Sequence, residues 1–394
     1  MVGGTRSFEI GRRLVAAGHE VDVITSWRET TTRRGWFITE SQGMRVHWLP
    51  VHYSNHMGYS ARIGAFLRFA IAAAKRAVAV DADVIFASST PLTIALPAVY
   101  AARRRRIPMI FEVRDLWPDL PIAVGALRSP VARWLARRLE TFAYSNAERV
   151  IALSPGMAAG VARRGYPADR IAIVPNGADL ELFRRDDVSG REFRRRLGIA
   201  DDRIVIGYAG TFGRINRVAY LVEVAAAMRL EERAVFVLIG EGHDRDQIER
   251  LARDLGVLNN NLFLLPGVTK SAMPAVLSGL DIATSLFLPI REMEANSANK
   301  FFDALAAGCC VAINYGGWQA QILEESGAGI RLAADPAEAA LQLTTLVREP
   351  DRLRRCGSNA RTLAVEKFSR DELAMRVEAV ISEVALDSRG PRRR

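Results

Sequence analysis

Two stretches of this 394-residue chain carry residue types and spacing suited to holding a phosphorylated ligand. The first is Asn296-Ser297-Ala298-Asn299-Lys300-Phe301-Phe302-Asp303-Ala304-Leu305-Ala306-Ala307-Gly308, followed by an apolar strand from Cys310 to Asn314. Asn296 or Ser297 is suited to cap a helix with Phe301, Leu305 and Ala306 on its apolar face, and Gly308 to close it. The amides and positive dipole end of such a helix attract anions, and a cation in the first turn, Lys300, is disfavoured unless an external anion offsets it. Asp303 is placed to accept hydrogen bonds from a ribose diol. A packing helix with a Lys–Asp pair accounts for the same residues equally well. The second stretch, Gly207-Tyr208-Ala209-Gly210-Thr211-Phe212-Gly213-Arg214-Ile215-Asn216-Arg217, reads as a strand entering a glycine loop and then a helix. Gly210 and Gly213 permit close backbone approach, and Arg214 or Arg217 could clamp a diphosphate through two parallel N–H donors. It is neither a Walker loop nor a G-x-G-x-x-G turn. Gly240-Glu241-Gly242-His243 reads as a further turn whose Gly242 could touch a ligand.

The elements that must position these residues follow a β-α alternation repeated twice. Glu20 to Thr25, Asp83 to Ala87, Pro108 to Val113, Arg149 to Leu153 and Ile171 to Val174 read as strands of a first half. Ile204 to Tyr208, Ala234 to Ile239, Leu262 to Leu265, Asp281 to Leu286 and Cys310 to Asn314 read as strands of a second. With helices between them, this is the pattern of two doubly wound parallel sheets, an α/β fold. The charge-rich Arg184 to Arg203, containing Ser189-Gly190, is the expected linker. The expected domains are 1–183, 184–365 and, over 366–394, a C-terminal helix returning to the first domain with a loose basic tail. Ser7 to Gly18 reads as a helix running straight into Glu20 to Thr25. The strand that should feed the Gly3-Gly4 turn is therefore expected to be missing, and the chain to start late.

Composition excludes whole classes of function. With 49% hydrophobic and 25% charged residues the chain is neither disordered nor fibrous. No run of 18 or so apolar residues spans a bilayer. Three cysteines are too few for a disulfide framework and fit a reducing cytosol, with Cys309-Cys310 as core packing. The five histidines lack metal-ligand spacing. The net charge of +10 is uneven: residues 1–175 hold 24 basic and 13 acidic side chains, the remainder 30 and 31. A basic front half points to an anionic surface or substrate for the first domain. No aromatic-basic interleaving or helix-turn-helix speaks for nucleic acid. Ala61 to Asp81 reads as a helix with Arg62, Arg68, Lys75 and Arg76 on one side and Ile63, Leu67, Ile71 and Val78 on the other, and Arg103 to Arg106 adds a cluster. This is either an ordinary sheet-covering helix with a solvated basic face or a site of attachment to anionic lipid.

The chain resembles the retaining glycosyltransferases of family 4, in particular those building bacterial polysaccharides and lipid-linked oligosaccharides. The resemblance rests on Gly3-Gly4-Thr5, Glu112-Val113-Arg114-Asp115-Leu116-Trp117-Pro118, Val174-Pro175-Asn176-Gly177-Ala178-Asp179, Tyr208 to Gly213, Ile239-Gly240-Glu241-Gly242 and Asn296 to Gly308. It implies a GT-B architecture, two Rossmann-like domains facing a central cleft. The second domain would bind a nucleotide sugar, taken as UDP-linked, and the first a membrane-associated glycan or lipid-diphosphate acceptor. It implies no metal or cofactor, because helix amides and cations neutralise the departing diphosphate. The implied location is the cytoplasm, attached peripherally to the inner face of the plasma membrane.

Carried over position by position, the family's E-x7-E pattern puts Asp303 on the ribose, but eight residues earlier stands Ala295, so Glu294 is preferred over Glu292 as the sugar-facing carboxylate. Thr211 and Asn216 occupy the positions of the diphosphate-binding Arg and Lys of many members. Arg214 and Lys300 are expected to substitute, with Ser297, Asn299, Gly210, Gly213 and Gly242 completing the donor site. On the acceptor side Gly3, Gly4 and Arg114 are implied, with Asp115 as the catalytic group and Glu112 as runner-up. Two competing functions share the sheets: a nucleotide-sugar epimerase of GT-B fold, and an NAD-dependent oxidoreductase, for which the glycine fingerprint is absent.

Overall fold

The computed structural model describes residues 6–27, 29, 31–51, 59–89 and 91–389. They form two compact units, one comprising Asn176–Leu373, the other running to Pro175 and taking up the chain again from Ala374. Gly3 and Gly4 lie outside the described residues.

In the N-terminal unit the chain runs α1 (Arg6–Ala16), β1 (Asp22–Trp27), β2 (Phe37–Ser41), β3 (Met44–Pro50), α2 (Tyr59–Ala79), β4 (Ile85–Ser88), α3 (Ala95–Arg105), β5 (Met109–Val113), α4 (Asp119–Ala123), α5 (Pro130–Ser145), β6 (Arg149–Ala152), α6 (Pro155–Arg163) and β7 (Ile171–Ile173). Its described strands form two sheets: a parallel one ordered β4-β5-β6-β7, and a three-stranded one ordered β1-β3-β2. The β2–β3 hairpin turns at Gln42 and Gly43, both at positive φ, a conformation Gly43 adopts without strain. β5 is buried at every position, as expected of a strand covered on both faces. Ser129 and Ser154 cap α5 and α6, accepting from Ala132 and Met157 amides, each with Pro at the first helical position.

The second unit holds α7 (Asp187–Arg196), β8 (Ile204–Ala209), α8 (Ala219–Ala227), β9 (Ala234–Ile239), α9 (Arg245–Asp254), β10 (Leu262–Leu265), α10 (Met273–Ser278), β11 (Ile282–Ser285), α11 (Asn299–Ala306), β12 (Cys310–Ile313), α12 (Trp318–Ser326), β13 (Gly329–Arg331), α13 (Pro336–Arg348) and α14 (Pro350–Lys367). Its six strands are all parallel in the order β10-β9-β8-β11-β12-β13. That is the doubly wound arrangement, with its topological switch between β8 and β11. β9, β11 and β12 are buried throughout, and their apolar side chains pack with Tyr220, Leu221, Val224, Leu343 and Leu346 of the flanking helices. The expected linker is instead helical: α7 is capped by Asp186 and docks Gly190 so closely on Ser278 that a Cβ there would fall 2.5 Å from the Ser278 carbonyl oxygen. The final helix, α15 (Arg370–Arg389), has its later residues bound to the N-terminal unit, where Glu378 meets His19, Glu383 pairs with Arg149 and Arg376 donates to the Ile173 carbonyl.

Three further expectations are corrected. Cys310 and Cys356 are joined in a disulfide between β12 and α14, whereas Cys309 is free, buried and its thiol pushed up to about 12 by burial. Among the described side chains of α2 the buried ones are Ala70 and Ala73, while Leu67 and Ile71 are exposed. The helix packs through its small residues, so the apolar face read from the sequence points outward in part. Arg76, assigned to the solvated side, instead donates to His47 Nδ1 at 2.8 Å, and His47 Nε2 in turn lies 2.7 Å from Asp22.

Candidate active site

The switch point of the second unit gathers the residues singled out in its sequence. β8 ends at Ala209, and Gly210 N donates to Ile239 O at 2.9 Å. The following loop lies directly on the turn after β9. Phe212 N donates to Glu241 O at 2.9 Å, and a Cβ on Gly240 would fall 1.9 Å from Gly210 O. Gly242 is equally constrained, its Cβ position lying 2.2 Å from Phe212 O. Gly240 and Gly242 therefore serve backbone-to-backbone packing of the two loops. The far end of the loop is tied to the segment after β11, where Leu288 N donates to Ile215 O at 2.8 Å.

Lys300 reaches into this loop. Its Nζ donates to Asn216 Oδ1 at 2.9 Å and to Tyr208 Oη at 3.1 Å, and lies 4.6 Å and 4.7 Å from the ring centres of Tyr208 and Phe287. Neither acceptor carries a charge, and burial pushes the amine down to about 7. The ammonium is thus held by neutral acceptors and π faces at the end of β8, one residue into α11. Arg214 is exposed on the short 3-10 turn Arg214–Asn216, and its side chain makes no hydrogen bond or ion pair among the described residues. Arg217 is held in a left-handed conformation with its guanidinium 5.3 Å from the centre of the Tyr220 ring.

The helix that carries Lys300 begins later than expected. α11 starts at Asn299, its N-cap is Ala298, and no side chain caps it. Asn296 Oδ1 accepts from Ala298 N at 3.2 Å, and Ser297 Oγ accepts from Asn176 N at 3.0 Å while its carbonyl accepts from the Asn176 side chain. Ser297 therefore fastens the Asn176 segment and does not cap the helix, so the opening amides are those of Asn299 and Lys300.

Asp303 lines a cavity of about 80 Å³ with Lys300, Thr284, Gly207 and Leu277. Its carboxylate lies 3.9 Å from Arg370, which also pairs with Asp179 and donates to Gly177 O at 2.7 Å. Glu294 is exposed on the 3-10 turn Arg291–Ala295 and lies over the glycines after β12, where a Cβ on Gly316 would come within 3.0 Å of its Oε1.

In the N-terminal unit Asp115 follows the C-terminal end of β5. Burial pushes its carboxyl up to about 6 despite the adjacent Arg114 charge. The Arg114 amide donates to Ser89 Oγ at 3.1 Å, fixing this turn. Glu112 is fully buried: its Oε1 accepts from Arg6 Nε at 2.6 Å and its Oε2 from Ser88 at 2.7 Å. Arg6 also donates to the carbonyls of Val174 and Pro175. Glu112 thus holds Arg6, and through it the carbonyls of Val174 and Pro175. The sequence did not reveal Arg6 or Arg370 as parts of these networks, because their partners lie far away along the chain. Among the described residues no group of three or more His, Cys, Asp or Glu is arranged to hold a metal.

Comparison with known proteins identifies the family and the fold. Residues 3–177 match the model of a glycosyl transferase 4-like domain, and residues 189–363 that of glycosyl transferases group 1. WcaI of Escherichia coli strain K12, described as a colanic acid biosynthesis glycosyl transferase, is 22% identical over 291 residues, 70% of either chain. Among solved structures, the sucrose-phosphate synthase of Thermosynechococcus elongatus aligns at a TM-score of 0.79 with 17% identity, over 98% of this chain and 94% of that one. HepE of Anabaena, solved with UDP and glucose, aligns at 0.68 with 15% identity, over 92% and 100%. Two consecutive domain models, together spanning nearly the whole chain, and a fold shared with these enzymes show that the chain belongs to the family 4 glycosyltransferases of GT-B fold.

Proposed function

We propose that this glycosyltransferase moves a sugar, with retention of configuration, from a UDP-sugar to a membrane-associated glycan or lipid-diphosphate-linked acceptor in cell-surface polysaccharide synthesis. The observation that carries the donor side is Lys300, a cation anchored by neutral groups beside the Gly210–Gly213 loop at an uncapped helix start. A diphosphate there would meet Lys300, exposed Arg214 and the first amides of α11 together. Asp303 is the group for the ribose and Glu294 for the sugar. As the C–O bond to the diphosphate breaks, its electron pair passes to the phosphate oxygen, whose charge these cations stabilise. Asp115 is the acceptor-side group that takes the hydroxyl proton. Its raised pKa makes it a better base than an ordinary carboxylate. The names of HepE's ligands and of WcaI's pathway support the UDP-sugar and the polysaccharide role respectively.

The counter-charge on the diphosphate comes from the protein itself, so turnover is expected to persist in EDTA. The working location is the cytoplasmic face of the membrane; no described helix is long and apolar enough to cross one. Incubation with UDP-sugars, with and without membrane extract, tests the proposal. Acceptor-dependent release of UDP supports it. Isomerised UDP-sugar without release would make the chain an epimerase, and nicotinamide-dependent oxidation would refute the reading outright.

A further inference from the structure

The first turn of α12 is anchored to the sheet of the second unit by a chain of buried polar groups. Tyr315 Oη donates to Gln319 Oε1 at 2.6 Å and lies 3.1 Å from Ser285 Oγ at the end of β11. All three residues are almost fully buried, so water does not compete for these bonds and the helix start is held firmly at the C-terminal end of β11. Trp318, beside Gln319, packs its ring 6.2 Å from the ring centres of Phe302 and Phe368 and 6.5 Å from that of Phe301, within the range of favourable aromatic pairs.

Against this fixed turn lies the segment that joins Glu294 to α11. Gly317, at φ +84°, stands so close to it that a Cβ would fall 2.4 Å from the Glu294 carbonyl oxygen and 2.7 Å from Glu294 Cβ. Two residues along the same segment, the carbonyl of buried Asn296 accepts from Trp318 Nε1 at 2.8 Å. Neighbouring residues of one turn thus hold the main chain at Glu294 and at Asn296. Phe301 and Phe302 belong to α11, so the single side chain of Trp318 touches both the segment that bears Glu294 and the helix whose amides open at Asn299. Helix α11 has no side-chain cap to set that junction, because Asn296 Oδ1 is taken by the Ala298 amide and Ser297 Oγ by that of Asn176.

We infer that Trp318 is a positioning residue for the donor sugar: its indole N–H sets where the Glu294 segment stands relative to the opening amides of α11, and Gly317 makes room for that segment. The inference rests on the donor-site reading above, in which Glu294 faces the sugar and α11 the diphosphate. Lys300 has its own anchors on Tyr208 and Asn216, so loss of the indole N–H should disturb the sugar end of the donor and spare the diphosphate end. Amide hydrogen exchange on the full chain tests the contact without any donor. W318F keeps an aromatic ring against the three phenylalanines and removes the N–H. Its amides over residues 293–298 should exchange roughly fivefold faster than in the wild type, the factor for one hydrogen bond, while those of β11 and β12 keep their rates. Calorimetry then compares UDP with UDP-glucose, UDP-galactose, UDP-N-acetylglucosamine and UDP-glucuronate, the tightest of the four in the wild type serving as the probe. W318F should bind UDP within about twofold of the wild type and the UDP-sugar roughly fivefold more weakly. In G317A the new methyl must displace Glu294, so transfer with membrane extract should fall roughly 100-fold, and UDP affinity kept within about threefold shows that the unit is folded. Unchanged exchange over 293–298 in W318F, or UDP and UDP-sugar affinities that fall equally in that variant, would overturn the inference. A wild-type protein that binds neither UDP nor any of the four UDP-sugars would instead refute the donor-site reading, and the sugar role of Trp318 with it.

Discussion

Replacing Lys300 should weaken donor binding and stabilise the fold at the same time. The amine sits among Tyr208, Phe287 and Asn216, and burial moves it from the ordinary 10.5 to about 7. Its folded-state value is depressed, so the folded protein binds this proton less readily than the unfolded chain, and the protonated side chain is a liability at every pH below about 10.5. At about 1.4 kcal/mol per factor of ten, the cost at neutral pH has an upper bound of ~4 kcal/mol. K300M should therefore raise stability at neutral pH by ~1–4 kcal/mol, and the gain should vanish once both states are neutral, above about pH 10.5. A diphosphate restores the charge by supplying the missing counter-ion. UDP affinity measured by calorimetry should then fall roughly fifteenfold between about pH 7 and about pH 8.5, a range above the phosphate's own titration near 6. K300M should abolish most binding and flatten this slope. K300R should flatten it too while keeping affinity at the alkaline end, since guanidinium stays charged. A wild-type slope in K300R, or a K300M protein that binds UDP normally, refutes the reasoning.

Other outcomes follow from the same geometry. D115N should cost transfer to acceptor far more than it costs UDP binding, and the wild-type transfer rate should decline as pH falls through about 6, where Asp115 takes up its proton. E112Q or R6M breaks a fully buried ion pair and leaves one charge without its partner, so each should lower stability by about 3–5 kcal/mol in denaturant titrations, with a much smaller effect on UDP binding.

The sheet order of the second unit was legible because continuous apolar runs such as Ala234–Ile239 and Cys310–Ile313 can only be covered strands, and turn glycines separate them from amphipathic helices. The β2–β3 hairpin was not, since its turn carries Gln42-Gly43 without the Asn-Gly signal and Met44–Pro50 hides its alternation behind buried His47 and Trp48. Lys300 could be found from its place at the start of a predicted helix. Its partners could not, because Tyr208 and Asn216 reach it only across the switch point, 84 or more residues away. The start of α11 was misread for a related reason: Ser297 has the chemistry of a cap, but Asn176 claims its hydroxyl from 121 residues away. Helix α2 shows the limit of periodicity, since small alanines and large apolar residues share the same helical spacing and only packing decides which face is covered.

We place the donor diphosphate at the β8–β11 switch point, gripped by Lys300 and the opening amides of α11. A crystal structure of the protein with UDP tests it most directly. Phosphate oxygens should lie within hydrogen-bond distance of Lys300 Nζ, with the ribose toward Asp303; UDP bound elsewhere, leaving Lys300 on Asn216 and Tyr208 alone, would overturn this placement.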